Sequence, residues 1–187
     1  PKLWSIGKPN LYNFIFTLMD KEKLDTVKSY SGMRSIDIKK NKIYLNGKPL
    51  YQRLVLDQGF YPKGIWTAPS DKELKNDIIL SMKAGFNGAR LHEKVFEDRF
   101  HYWADKLGYI TWSEFPNWGM NENAKASETY FLREWPRIVN YLKNHPSIIT
   151  WTPFNETNTL ECNSQHKKLM RIAYDVTKKN DPTRPVN

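Results

Sequence analysis

The apolar run Ile148-Ile149-Thr150-Trp151 leads within a few residues into the polar pair Asn155-Glu156. An amide and a carboxylate at the end of a buried strand are costly unless they have partners or work to do. Catalysis by the Glu156 carboxyl group is one reading. Capping of the following loop or helix by Asn155 and Glu156 is the other. Three further apolar runs also end in polar groups: Asp57-Gln58, Arg90-Leu91-His92 and Glu114. In parallel α/β folds such groups gather where the strands' carboxyl ends open into a mouth. Arg90 is also a natural ion-pair partner for Asp57 or Glu114, and His92 on its own reads equally well as a structural histidine. Among seven tryptophans, Trp66 and Trp118 fall in Gly/Pro-bearing loops, where a flat indole could carry the apolar face of a sugar ring.

Other chemistries find no support. His92, His101, His145 and His166 are scattered and Cys162 is the single cysteine, so no metal-ligand spacing and no internal disulfide are expected. No G-x-G-x-x-G or G-x-x-x-x-G-K-[ST] loop occurs, and no cofactor is called for. The net charge is +9, but residues 1–50 hold ten basic against four acidic residues and residues 51–187 hold 19 against 16. The excess is not a stripe on one helix, which argues against a nucleic-acid partner. Mean hydropathy is −0.69, and no apolar run approaches the roughly 20 residues of a membrane span. No signal peptide is evident from Pro1 onwards, and localisation stays open.

The elements that must position these residues change character near residue 48. Before it, Leu11-Tyr12-Asn13-Phe14-Ile15-Phe16-Thr17-Leu18-Met19 and Met33-Arg34-Ser35-Ile36-Asp37-Ile38 alternate as β-strands do, with charged runs at 20–28 and 39–42 between them. Asn46-Gly47 between short apolar stretches predicts a two-residue hairpin. After it, strands are expected at 53–57, 88–91, 109–114 and 148–155, alternating with amphipathic helices. The first helix opens on the capping box Ser70-Asp71-Lys72-Glu73, buries Leu74, Ile78 and Met82, and stops at Gly85. The second carries Phe96, Phe100, Trp103 and Leu107 and ends at Gly108. The third carries Phe131, Trp135, Ile138 and Leu142, with Pro136 expected to open or kink it. The fourth carries Leu169, Ile172, Ala173 and Val176, and Thr183-Arg184-Pro185-Val186-Asn187 reads as the approach to a fifth strand. The fold class is therefore α/β: the last strands of a β-domain at 1–47, then at 48–187 the first half of a (β/α)8 TIM barrel, which in full needs roughly 250 residues.

The run Lys143-Asn144-His145-Pro146-Ser147-Ile148-Ile149-Thr150-Trp151-Thr152-Pro153-Phe154-Asn155-Glu156 resembles the acid/base signature of glycoside hydrolase family 2, which includes β-galactosidases, β-glucuronidases and β-mannosidases. Gly85-Phe86-Asn87-Gly88-Ala89-Arg90 and Trp103-Ala104-Asp105-Lys106-Leu107-Gly108-Tyr109-Ile110-Thr111-Trp112-Ser113-Glu114 resemble its second and third βα units. Leu3-Trp4-Ser5, Pro9-Asn10-Leu11-Tyr12, Gly32-Met33-Arg34 and Leu45-Asn46-Gly47-Lys48-Pro49 resemble the end of the immunoglobulin-like β-sandwich before the barrel. The resemblance implies a retaining β-glycosidase acting on O-glycosidic bonds, with a carbohydrate substrate. Glu156 would be the general acid/base, Asn155 would bind the sugar 2-hydroxyl, and Arg90 would buttress the carboxylates. Asp57, His92, Glu114 and Trp118 join them as substrate-binding candidates. The family's nucleophile is a glutamate of the seventh strand, so no residue here takes that role, and the chain alone is expected to be inactive. Two motifs depart from the family pattern: its Arg-x-Ser-His-Tyr-Pro becomes Arg90-Leu91-His92-Glu93-Lys94, and Thr152 follows the signature tryptophan. A non-catalytic carbohydrate-binding module is the alternative. Exposed half-barrel edges also predict self-association.

Overall fold

The structure, a computed structural model, describes residues 1–157 and 162–187. Its first part is antiparallel. β1 (Trp4–Ser5) and β2 (Lys8–Pro9) form a small hairpin, and β3 (Tyr12–Asp20) and β4 (Glu22–Ser31) form a long one. β5 (Ile36–Lys39), β6 (Lys42–Leu45) and β7 (Lys48–Pro49) make a three-stranded meander. Asn46 and Gly47 turn β6 into β7 with φ of 52° and 76°, the left-handed pair that the Asn-Gly signal demands. The charged run at 20–28, read in sequence as a separator, is instead most of β4. Lys21 makes the turn at φ 57°. Both strands of this hairpin lie largely in solvent, where charged residues carry little burial cost; the backbone ladder holds the pair together, and Tyr30 ties β4 to the rest of the fold by donating to Asp105 Oδ2 at 2.8 Å.

Four βα units follow: β8 (Leu54–Asp57), α1 (Asp71–Lys83), β9 (Gly88–Leu91), α2 (Asp98–Leu107), β10 (Ile110–Glu114), α3 (Lys125–Leu142), β11 (Ile148–Thr152) and α4 (Ser164–Asn180). The four strands are parallel and lie side by side in chain order. Gly88, where β9 runs between β8 and β10, cannot carry a side chain, because a Cβ there would come within 2.3 Å of the Ile110 carbonyl oxygen. Ser70 caps α1 by accepting the Glu73 N–H at 3.3 Å. α2 begins at Asp98 rather than Phe96, yet Phe96 stays buried with its ring 4.9 Å from that of Phe100. Pro136 neither opens α3 nor ends it. The buried stripe Phe131, Trp135, Val139 and Leu142 anchors the helix on both sides of the proline, which offsets the missing N–H. The predicted fourth strand stops at Thr152, and Asn155 and Glu156 lie on the loop beyond it.

Between sheet and helices lie two apolar clusters. Leu74, Ile78, Ala89, Leu91 and Phe100 form one, and Phe115, Phe131, Trp135, Trp151 and Leu169 the other. The opposite face of the sheet is filled from the amino-terminal segment. Trp4 is wholly buried against Ile110 and Ile149, with Leu54 and Trp112 beside it, and its Nε1 donates to the Asp105 carbonyl at 2.8 Å. At the far edge the expected fifth strand begins to pair. Val186 bridges Trp151 in parallel, and Arg184 donates to the carbonyls of Lys143, His145 and Ile148 while ion-paired with Asp181.

Candidate active site

Strand register decides which side chains enter the barrel mouth. In β10, Ile110 faces the Trp4 cluster, so Trp112 and Glu114 share its face; Arg90 pairs opposite Trp112 and faces the same way. Between Thr111 and Trp112 the pairing with β11 shifts by one residue, which brings Thr152 abreast of Glu114. The strand ends thus deliver Arg90 and Glu114 to one place. Arg90 Nε is ion-paired with Glu114 Oε1, and Arg90 Nη2 donates to Asn155 Oδ1 at 2.5 Å. Glu114 Oε2 lies 3.1 Å from His92 Nδ1 and accepts the Glu93 N–H at 3.0 Å. The Glu114 side chain is 1% exposed and both its oxygens are engaged, so it anchors the cluster rather than facing solvent.

Asn155 is held by its backbone as well. Its N–H donates to Asn117 Oδ1 at 2.9 Å and its carbonyl accepts from Asn117 Nδ2 at 3.0 Å. This clamp precedes Glu156, which adopts φ 48° and stands exposed. Glu93 is also left-handed, at φ 48°, with His92 Nε2 3.8 Å from its carboxylate. Burial pushes the Glu93 carboxyl up from its ordinary range; the Glu114 and Glu156 charges push the same way, against His92 and the Asn155 amide. Glu93 Oε1 and Asn155 Nδ2 are both buried and lack a well-formed hydrogen bond. Neither Glu93 nor Asn117 was a sequence-level candidate. Glu93 showed itself only as a departure from a motif, and Asn117 only as one polar residue of the loop Pro116-Asn117-Trp118-Gly119.

Beside this cluster opens a cleft of about 310 Å³ lined by Gln58, Phe60, Trp66, His92, Glu93 and Trp118. Phe60 and Trp66 stack with ring centroids 6.3 Å apart, and Trp66 Nε1 donates to the Gln58 carbonyl at 3.0 Å. Trp118 is 78% exposed on the other wall. Lys94 does not face the cleft: its Nζ donates to the Trp66 carbonyl at 2.8 Å, with Glu97 3.4 Å away. Asp57 stands apart from the cluster. Alternation along β8 puts it on the helix side with Val55, where it accepts the Gly59 N–H at 2.9 Å. Burial, with Asp77 nearby, holds its carboxyl above the usual range, against the Gly59 N–H and Lys94. It therefore braces the β8 loop. A larger hollow of about 830 Å³ lies among β1, β2, β6 and β7, but no carboxylate lines it. Among the described residues no three His, Cys, Asp or Glu side chains are placed to hold a metal ion, and no helix is long and apolar enough to cross a membrane.

Comparison with known proteins bears on this arrangement. The model for "Glycosyl hydrolases family 2, TIM barrel domain" matches residues 36–187, and that for "Glycosyl hydrolases family 2" matches residues 1–34. The β-galactosidase of Photobacterium profundum is 28% identical over 196 residues, covering 100% of this chain and 18% of that protein. The β-galactosidase of Lactococcus lactis subsp. lactis is 32% identical over 196 residues, again covering 100% of the chain and 19% of the relative. The chain thus spans about a fifth of the length of the curated relatives it matches. Among solved structures, the β-D-glucuronidase of Dictyoglomus thermophilum aligns at TM-score 0.87 and 24% identity, over 100% of this chain and 34% of that one. β-Glucuronidase 2 of Bacteroides uniformis, covalently bound to cyclophellitol-6-carboxylate aziridine, aligns at 0.86 and 25% identity, over 100% and 24%. The match spans both the β-strands and the half-barrel, and it runs through the strands that bring Arg90, Glu114 and Asn155 together: the chain belongs to glycoside hydrolase family 2.

Proposed function

We propose that this chain carries the acid/base side of a retaining β-glycosidase site whose nucleophile comes from outside residues 1–187. The observation that carries the reading is the orientation of Asn155. Arg90 offers only donors, so the Asn155 carbonyl turns toward it and the amide NH2 turns toward Glu93 without a well-formed hydrogen bond. A donor that is not fully engaged, on the residue preceding an exposed carboxyl, is suited to a substrate hydroxyl next to the bond being broken. In a retaining reaction the acid protonates the departing oxygen while a second carboxylate, about 5 to 5.5 Å away, attacks the anomeric carbon; the first group then activates water. Glu156 fills the acid/base role, Asn155 binds the 2-hydroxyl, and the Arg90–Glu114–His92 cluster holds Asn155 in place. Trp66 and Trp118 supply aromatic surface to the sugar.

The test is hydrolysis of aryl β-galactosides and β-glucuronides by the full-length protein, with NMR of the anomeric proton released. Retention is expected, as is loss of turnover on poor leaving groups in Glu156→Gln. The 187-residue chain by itself should show no turnover, since a lone acid forfeits the covalent path. The aromatic cleft equally suits a non-catalytic carbohydrate-binding module. Sugar binding without hydrolysis by the full-length protein would favour that reading.

A further inference from the structure

We propose that Glu93 makes this site select neutral β-hexosides, such as galactosides, over β-glucuronides. The inference rests on the glycosidase reading above and asks which sugar that site takes. The relatives named include β-galactosidases and β-glucuronidases, and a glucuronide presents an ionised carboxylate where a galactoside or glucoside presents a hydroxymethyl; it differs from the glucoside in that group alone and from the galactoside also at the 4-hydroxyl.

The cleft is charged against the former. Glu93 lines it, its side chain is 12% exposed, and its Oε1 is a buried acceptor that lacks a well-formed hydrogen bond, with the Asn155 amide as its neighbour. A sugar hydroxyl can donate to that oxygen. The ionised carboxylate of a uronate cannot, having acceptors only. The Glu114 and Glu156 charges already press on Glu93, and a further carboxylate would add to a like-charge group in a poorly hydrated place.

The nearby cations are committed. Arg90 is paired with Glu114 and Asn155. Lys94 is turned under the β8 loop onto the Trp66 and Gly59 carbonyls and Glu97. Among the described residues no Lys or Arg lines the cleft. The Asn155 amide donor does not discriminate, because both sugars carry the 2-hydroxyl assigned to it.

The experiment compares kcat/KM of the full-length protein for 4-nitrophenyl β-D-galactopyranoside, β-D-glucopyranoside and β-D-glucuronide with that of Glu93→Gln and Glu93→Asn. Asparagine is neutral and tolerates the left-handed backbone, so it covers the case in which Gln distorts the turn. Wild type should favour the neutral glycosides. Both variants should move the glucuronide-to-glucoside ratio upward about tenfold or more, and Glu93→Asp should leave the preference in the wild-type direction. A wild type that prefers the glucuronide overturns the inference, because cations from outside this chain would then outweigh Glu93. So does a ratio that moves less than tenfold in the neutral variants. Absence of hydrolysis on every substrate would sink the glycosidase reading instead. In that case calorimetric binding of glucose and glucuronate decides the matter: selectivity for glucose that is lost in the neutral variants upholds the role of Glu93, and selectivity absent or unchanged refutes it.

Discussion

Arg90 Nη2 lies 2.5 Å from Asn155 Oδ1, and this single contact decides which end of the Asn155 amide turns toward Glu93. Since a guanidinium has no acceptor, the opposite orientation would set donor against donor.

Asn155→Asp tests that assignment. Aspartate keeps an oxygen toward Arg90 and nearly the same shape, but it replaces the NH2 by a second acceptor beside Glu93. The full-length protein should fold normally and lose at least about tenfold in kcat/KM, the scale of one substrate hydrogen bond. Unaltered kinetics in a folded variant would show that the amide nitrogen touches no substrate.

Arg90→Met isolates the support for the cluster. Glu114 is 1% exposed, and without Arg90 its charge keeps only His92 and a backbone N–H. Breaking a buried pair from one side costs about 3 to 5 kcal/mol. Urea unfolding should report a loss of that order, whereas a shift below about 1 kcal/mol would mean that Glu114 is satisfied without the guanidinium.

His145 supplies a pH dependence. Burial works against its charged form, but Asp105 Oδ2 at 2.6 Å and Asp98 at 3.3 Å outweigh this, and its pKa is raised. A raised folded value means that its stabilisation is fully present below the unfolded pKa of about 6.5 and is lost as pH rises through the folded value. Neighbouring His101, fully buried, is pushed well below its ordinary range, so it acts with the opposite sign as pH falls. The stability difference between wild type and His145→Gln should therefore shrink as pH rises above about 6.5. A difference that stays constant from acid to alkaline pH would refute the pairing.

The 187-residue chain on its own should self-associate. The outer edge of β8 carries no partner strand among the described residues, and Ile15, Phe16, Leu18 and Val27 on the β3–β4 hairpin are each more than half exposed. Sedimentation at micromolar concentrations would decide this, a stable monomer being the contrary result.

Much of the fold is legible locally. The spacing of Leu74 and Ile78, the Ser70 cap and the Asn46-Gly47 turn each need only neighbouring residues, and each is realised. The site is legible in part. Arg90, Glu114 and Asn155 meet because polar residues at strand ends share a mouth. Asp57 fulfils the same rule in sequence yet turns to the helix side with Val55, because Leu54, Val55 and Leu56 are all apolar and their alternation does not report which face is inward. Glu93 and Asn117 escaped because their positions come from left-handed turns and loop closure rather than periodicity. The β4 strand escaped because an exposed hairpin requires no apolar alternation.

Trp4 has a further consequence, in time. One wall of its socket, Ile149, is encoded 145 residues after it. At about 5 to 20 residues per second of synthesis, roughly 7 to 30 seconds pass between the making of the indole and the making of that wall. Through that interval the nascent chain carries an exposed tryptophan next to a hairpin already rich in exposed apolar residues. The start of this chain thus depends on its end, and a ribosome pausing before residue 149 would prolong the period in which chaperones must shield it.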